Sequence, residues 1–169
     1  SMQFDLEEMG KPLPLKWGKC KLATVSFGHG ISTTPLQVAT AYAIISNGGY
    51  KIKPTLIKRE IKFKKKNKIL NNDVSKNINS ILRKIVSTKE GTASLANVEG
   101  YGIGGKTGTA QKIENGSYTK KKINTFVSIF PTNEPKYVLL VLLDEPKSNS
   151  EYIYNYRDGS NFKLKGSPR

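Results

Sequence analysis

Apolar and polar positions follow different rhythms in successive stretches of this chain. Thr34-Pro35-Leu36-Gln37 has the form of a helix start, with Thr34 at the N-cap, Pro35 first in the helix and Gln37 placed to close a capping box. The pattern predicts a helix to about Ser46. Leu36, Ala39 and Ala43 share one face, Val38, Tyr42 and Ile45 the adjacent one, and Asn47-Gly48-Gly49 is the stop. So wide an apolar arc predicts burial. From Tyr50 to Leu70, Ile52, Leu56, Ile57, Ile61, Phe63 and Ile69 recur between lysines, which predicts a partly exposed β-hairpin. Asn72-Asp73 then offers a second N-cap. Val74, Ile78, Ile81, Leu82, Ile85 and Val86 follow on one helical face, with Gly91 as terminator.

Beyond Gly91 the rhythm changes to strands, predicted over Tyr101 to Lys112, Asn124 to Phe130 and Tyr137 to Leu143. Asn115-Gly116 and Pro131-Thr132-Asn133-Glu134-Pro135 are turn chemistry, short enough to join antiparallel neighbours in a meander. Tyr137 to Leu143 has no polar face, so the third strand is expected to be central and covered on both sides by helices. Helices followed by a meander predict an α+β fold, an antiparallel sheet covered by helices. Residues 1–21 are punctuated by Pro and Gly and read as an irregular lead-in. Residues 147–169 are polar and aromatic without period and read as a surface tail.

Composition narrows the chemistry. One His and a single Cys (Cys20) exclude a disulfide framework and ordinary structural zinc sites, so metal chemistry would have to use carboxylates alone; no metal or cofactor is expected. Cys20 reads as a buried or inert thiol and His29 as a loop hydrogen-bond partner. The longest apolar run, Tyr137 to Leu143, is far short of the roughly 20 residues that span a bilayer. The 28 Lys and Arg stand against 13 Asp and Glu, a formal net charge of +15. Nine of those cations, opposed by Glu60 alone, lie between Lys51 and Lys68. That segment could make a nucleic-acid or anionic-surface binding module. Only four cations are Arg, however, and Arg geometry is what base readout and phosphate forks favour, so a solvated lysine-rich hairpin is the reading preferred and no nucleic-acid partner is expected.

Gly104-Gly105-Lys106-Thr107-Gly108-Thr109 lies on the first strand of the meander. It is preceded by Ser26-Phe27-Gly28-His29-Gly30, the Thr34-to-Tyr42 helix start and Gly91-Thr92-Ala93, and followed by Phe126 to Pro131 and Asp144-Glu145-Pro146. In this order, over roughly residues 20 to 146, these blocks resemble the C-terminal half of the transpeptidase domain of class B penicillin-binding proteins, most like the division-type enzymes. The resemblance implies a peptidoglycan D,D-transpeptidase that cross-links D-Ala-D-Ala stem peptides by serine acyl transfer and binds β-lactams. Lys106, Thr107, Gly108 and Thr109 are then the substrate-binding residues. Lys106 supplies positive field to the substrate carboxylate, and the Thr107 and Thr109 hydroxyls, two apart on one strand face, can hydrogen-bond it. Gly108 lets the substrate backbone lie close to the strand. The Thr109 backbone N–H would be an oxyanion-hole donor and, with Lys106, counts as catalytic by resemblance.

The family also needs a nucleophilic Ser with Lys three residues later and a Ser-x-Asn, both expected N-terminal to the matched blocks. Ser75-Lys76-Asn77 opens a predicted helix, where positions two apart diverge, and reads as capping and solvent. Ser117-Tyr118-Thr119-Lys120 reads as loop. Ser160-Asn161-Phe162-Lys163 has only six residues after it, too few for a buried helix that would orient the serine. No nucleophile is therefore assigned in this chain. Ser128 stands where the family commonly has Gly, and Gly105 where Ala is frequent. The expected picture is a partial transpeptidase domain over 1–169, inactive alone, whose parent is inner-membrane anchored with a periplasmic catalytic domain and meets the division machinery. The missing N-terminal part of the same protein is an expected partner, and a chain lacking both the nucleophile helix and the family's terminal helix would leave Val138, Leu140 and Leu142, or their opposite-face neighbours, uncovered. A serine β-lactamase or D,D-carboxypeptidase relative is the alternative within the superfamily.

Overall fold

The computed structural model describes residues 17–28, 30–58, 67–114, 117–147, 153–155 and 161–163. Helix α1 spans Lys21–Ser26, α2 Pro35–Ser46 and α3 Asn72–Ser87; a 3-10 turn covers Ser94–Ala96. Strands β1 (Gly104–Glu114), β2 (Ser117–Phe130) and β3 (Tyr137–Asp144) form a sheet in the order β1-β2-β3. Short strands β4 (Ile153–Asn155) and β5 (Asn161–Lys163) pair antiparallel, with Tyr154 opposite Phe162. By its contacts the chain divides into two compact units, Ser1–Thr107 with Phe126–Val141, and Gly108–Thr125 with Leu142–Arg169.

In the first unit α2 begins as its sequence demands. The Thr34 hydroxyl accepts from the Gln37 N–H at 3.2 Å while the Gln37 side chain accepts from the Thr34 N–H at 2.9 Å. These bonds satisfy helix N–H groups that would otherwise have no partner. The helix packs on α3. Its apolar positions are mostly half-buried rather than buried; burial still pushes the Tyr42 phenol above its ordinary pKa. Helix α3 starts after Asn71 and ends at Thr88, earlier than the expected stop at Gly91. Gly91 is nevertheless required, because a Cβ there would collide with the Ile85 carbonyl where the chain folds back over the helix end.

The buried stripe of α3 is Ser75, Asn79, Leu82 and Val86, not the all-apolar stripe that periodicity predicts; Val74 and Ile81 are exposed. Ser75 is therefore neither a cap nor a solvated residue. Its hydroxyl donates to the Ile45 carbonyl and accepts from the Gly48 N–H at 3.2 Å, and the Asn79 amide donates to the Ser46 carbonyl at 3.4 Å. This polar seam satisfies carbonyls that the end of α2 leaves free. Leu82 and Val86 join Ala93, Val127 and Ile129 as the buried apolar residues. Strand β1 enters against α3: a Cβ on Gly104 would lie 2.9 Å from the Arg83 nitrogen and 3.0 Å from the Leu82 carbonyl carbon.

Two expectations change. Strand β2 is central and β3 is an edge strand of this sheet, with Tyr137, Leu139, Val141, Leu142 and Leu143 exposed, so the apolar run is not covered on both faces. The exposed set is mainly the opposite-face neighbours of Val138 and Leu140. The 147–169 segment holds β4 and β5 rather than only an irregular tail. The Tyr50–Leu70 hairpin is paired at its base, where Tyr50 bridges Lys68 antiparallel and the Lys51 N–H donates to the Asn67 carbonyl at 2.8 Å; 59–66, with five of its cations, lie outside the described residues. The first 16 residues of the lead-in, His29 and the Asn115-Gly116 turn lie outside them too.

The second unit is organised by charge. Lys112 on β1 bridges Asp144 at 2.6 Å and Glu145 at 2.8 Å, and Lys121 on β2 bridges Glu114 at 2.7 Å. Glu145 adopts φ 49°, a left-handed conformation uncommon for a side chain of its size, while its N–H donates to the Lys122 carbonyl at 2.9 Å. The hydrogen bond from Lys112 is the main reason the Glu145 carboxyl titrates below its ordinary range. The bond to Asp144, then that to Glu145, lifts the Lys112 ammonium above its own.

Candidate functional site

Lys106 and Thr107 sit two and three residues past the point where β1 touches α3. Gly104 and Gly105 are buried, and the second has its own reason to lack a side chain: a Cβ would lie 2.7 Å from both the Phe126 ring and the Val127 carbonyl. The departure from Ala at this position matches that close ring. Lys106 is exposed and its ammonium donates to the Thr107 carbonyl at 2.7 Å, with the Thr107 hydroxyl 3.5 Å away. The Thr107 hydroxyl in turn donates to the Thr92 hydroxyl at 3.3 Å. One ammonium and two hydroxyls thus meet at the surface of the first unit. Hydroxyl protons rotate to suit their partner, so either threonine can turn its O–H toward an incoming anion.

Thr92 was not among the residues that the Lys-Thr-Gly pattern names. Its position within Gly91-Thr92-Ala93 was the available signal, but a hydroxyl in a turn reveals no partner until the strand that faces it is placed. Arg83 is a second such residue: its Nη1 donates to the Ile103 carbonyl at 2.7 Å and to the Asn97 side chain at 2.9 Å.

Gly108 and Thr109 belong to the second unit. A Cβ on Gly108 would lie 2.6 Å from the Thr125 hydroxyl, which donates to the Gly108 carbonyl at 3.4 Å, so this glycine answers first to its own neighbouring strand. Thr109 is exposed. Ser128 is buried with its hydroxyl donating to the Leu139 carbonyl at 3.4 Å, which accounts for a serine at that position of β2.

The serine and lysine pairs separate as follows. Ser117 and Lys120 lie on β2, not in a loop, and three residues apart on a strand they point to opposite faces. Ser75 is buried against α2, closed off from any substrate. Ser160 is outside the described residues, while Lys163 ends strand β5. Cys20, expected as a buried or inert thiol, is exposed. Among the described residues no group of His, Cys, Asp and Glu could hold a metal ion, and no helix is long and apolar enough to cross a membrane.

A family model for the penicillin-binding protein transpeptidase domain matches residues 1–160. The chain is 40% identical to the peptidoglycan D,D-transpeptidase FtsI homolog of Mesostigma viride, across 73% of this chain and 24% of that protein. It resembles the solved TP domain of Burkholderia pseudomallei penicillin-binding protein 3 with a TM-score of 0.77 and 27% identity, covering 86% of this chain and 45% of that one. It also resembles penicillin-binding protein 3 of Mycobacterium tuberculosis complexed with aztreonam, with a TM-score of 0.70 and 29% identity over 78% of this chain and 33% of that one. The chain thus spans about a quarter of the curated relative and less than half of the solved domain.

Proposed function

Because the chain belongs to the FtsI-type class B penicillin-binding protein transpeptidase family, we propose that it supplies the substrate-carboxylate side of a peptidoglycan D,D-transpeptidase site. The observation that carries this reading is the meeting of the Lys106 ammonium with the Thr107 and Thr92 hydroxyls on the exposed side of β1. A D-Ala-D-Ala stem peptide ends in a carboxylate, and a β-lactam presents one in the corresponding place. Two hydroxyl donors and a cation satisfy such an anion without burying an unpaired charge. The transpeptidase name of the curated relative supports this over a β-lactamase or D,D-carboxypeptidase, and the aztreonam complex of a relative supports the binding of a β-lactam.

In the proposed reaction a serine outside the assigned residues of this chain attacks the peptide carbonyl, D-Ala leaves, and a neighbouring stem-peptide amine takes the acyl group. Lys106 holds the terminal carboxylate and supplies positive field beside the reacting centre. The Thr109 N–H is the proposed donor to the oxyanion, a contact whose loss typically slows such reactions by about 100-fold or more. The proposal extends to the parent protein, with an inner-membrane anchor, a periplasmic catalytic domain and partners in the division machinery.

A fluorescent penicillin tests the reading. The 169-residue chain should stay unlabelled, whereas the same chain preceded by the Ser-x-x-Lys and Ser-x-Asn segment of a relative should be acylated. Lys106→Ala in that longer polypeptide should slow acylation by about 100-fold. Equal labelling of the two Lys106 forms would defeat the proposal.

A further inference from the structure

Three pieces of the first unit converge on Arg83. The Ile103 carbonyl that receives its Nη1 immediately precedes β1, four residues before Thr107. The Asn97 side chain, its other acceptor, closes the turn that begins at Gly91 and carries Thr92. That turn is internally bonded: the Asn97 N–H donates to the Ser94 carbonyl and the Ser94 N–H to the Gly91 carbonyl, each at 3.1 Å. A shift at Asn97 therefore passes to Thr92 through two backbone bonds. The turn is also pinned to α3 by buried Ala93, whose N–H donates to the Ile85 carbonyl at 3.4 Å.

On the other side, the absent side chain of Gly104 lets β1 lie directly on the Leu82 and Arg83 backbone. One nitrogen of one guanidinium thus ties the Thr92 turn and the Thr107 strand to the same point of α3. The two hydroxyls that result are 3.3 Å apart, adjacent enough for one carboxylate to accept a hydrogen bond from each once their O–H groups turn outward. Arg83 faces two neutral acceptors, and an arginine suits them because its planar donors keep a fixed direction.

We propose that Arg83 is a positioning residue that sets the separation of the Thr92 and Thr107 hydroxyls, and that Thr92 is a second hydroxyl ligand for the substrate carboxylate. The proposal rests on the carboxylate-binding reading above and deepens it. Arg83 touches no substrate; it acts through the two threonines.

The test is an amide-shift titration of the full 169-residue chain with benzylpenicillin and, separately, with its methyl ester, which lacks the anionic carboxylate. The ratio of the two dissociation constants reads the carboxylate's share of binding, and about tenfold in favour of the acid is expected for a charge-assisted contact. Arg83→Met and Thr92→Val should each reduce that ratio to roughly threefold, and the double variant should fall no further, because both act on one hydroxyl pair. A residue that only stabilised the fold would lower the melting temperature and leave the ratio alone. An unchanged ratio in Arg83→Met, or losses that multiply in the double variant, would overturn the proposal. Should Arg83→Met fail to fold, Asn97→Ala removes the turn's bond alone, and an unchanged ratio there overturns it equally. Acid and ester binding alike to the unaltered chain would remove the carboxylate reading itself, an outcome distinct from failure of the Arg83 relay.

Discussion

In the first unit Leu82 and Val86 of α3 are buried with Val127 and Ile129 of β2, and Lys106 and Thr107 follow directly on a strand pressed against that helix. In the second unit Lys112, Glu114, Lys121, Asp144 and Glu145 hold strands together by ion pairs in reach of water. Apolar burial is not screened by salt and does not titrate in the neutral range, whereas exposed ion pairs are weak and screened. The contrast teaches which part of the Lys-Thr-Gly strand has a fixed frame. The ammonium and the Thr107 hydroxyl hang from packed backbone, and the residues after Thr107 run into a region whose side-chain ties are exposed ion pairs.

The comparison breaks most visibly at Leu82. Leu82→Ala removes buried volume behind Gly104 and is expected to destabilise the chain by about 2–5 kcal/mol, read by denaturant unfolding. Near-wild-type stability in that variant would mean that the first unit is not held by its core. Next in size is the polar seam between α2 and α3. Ser75→Ala strips the Gly48 N–H and the Ile45 carbonyl of their partner and should destabilise by about 1–3 kcal/mol, with earlier amide exchange at Gly48. A loss below a few tenths would show that water replaces the serine there and that the seam contributes little.

Ser75 also marks where sequence reasoning stops. The α2 start was legible because a capping box is complete within four residues, and the Lys106-to-Thr109 strand was legible because its motif and its strand are both local. Which face of α3 is buried was not local. Its most apolar stripe was expected inward, yet the partner it meets is the end of α2, whose free carbonyls favour Ser75 and Asn79. Strand β3 misled for the opposite reason. An all-apolar strand reads as central, but its burial depends on what lies across it, and in this chain it is an edge with Leu139 half exposed at 50%. Thr92 and Arg83 escaped because their meaning lies in groups 15 and 20 residues away.

The Glu145 carboxyl is held below its ordinary value of 4.5, first by the hydrogen bond from Lys112, so this contact stabilises above that value and is lost as pH falls through the lowered one. Lys112 is held above its ordinary 10.5, first by its bond to Asp144, so its share is full below that value and lost as pH rises past the raised one. Between those limits the Lys112–Glu145 pair keeps both its charges, and salt is what weakens it: the screening length falls from about 8 Å at physiological ionic strength to about 3 Å at 1 M. Raising salt to about 1 M at neutral pH should therefore speed amide exchange in 110–114 and 118–122 while leaving 127–129 unchanged. Lys112→Met should move the Glu145 carboxyl midpoint, followed by carbon-13 shifts, back up toward its ordinary value. If that midpoint stayed low without Lys112, the group lowering it would be Lys121, whose ammonium lies 3.8 Å from the Glu145 carboxylate, and the tie would run between β2 and the end of β3.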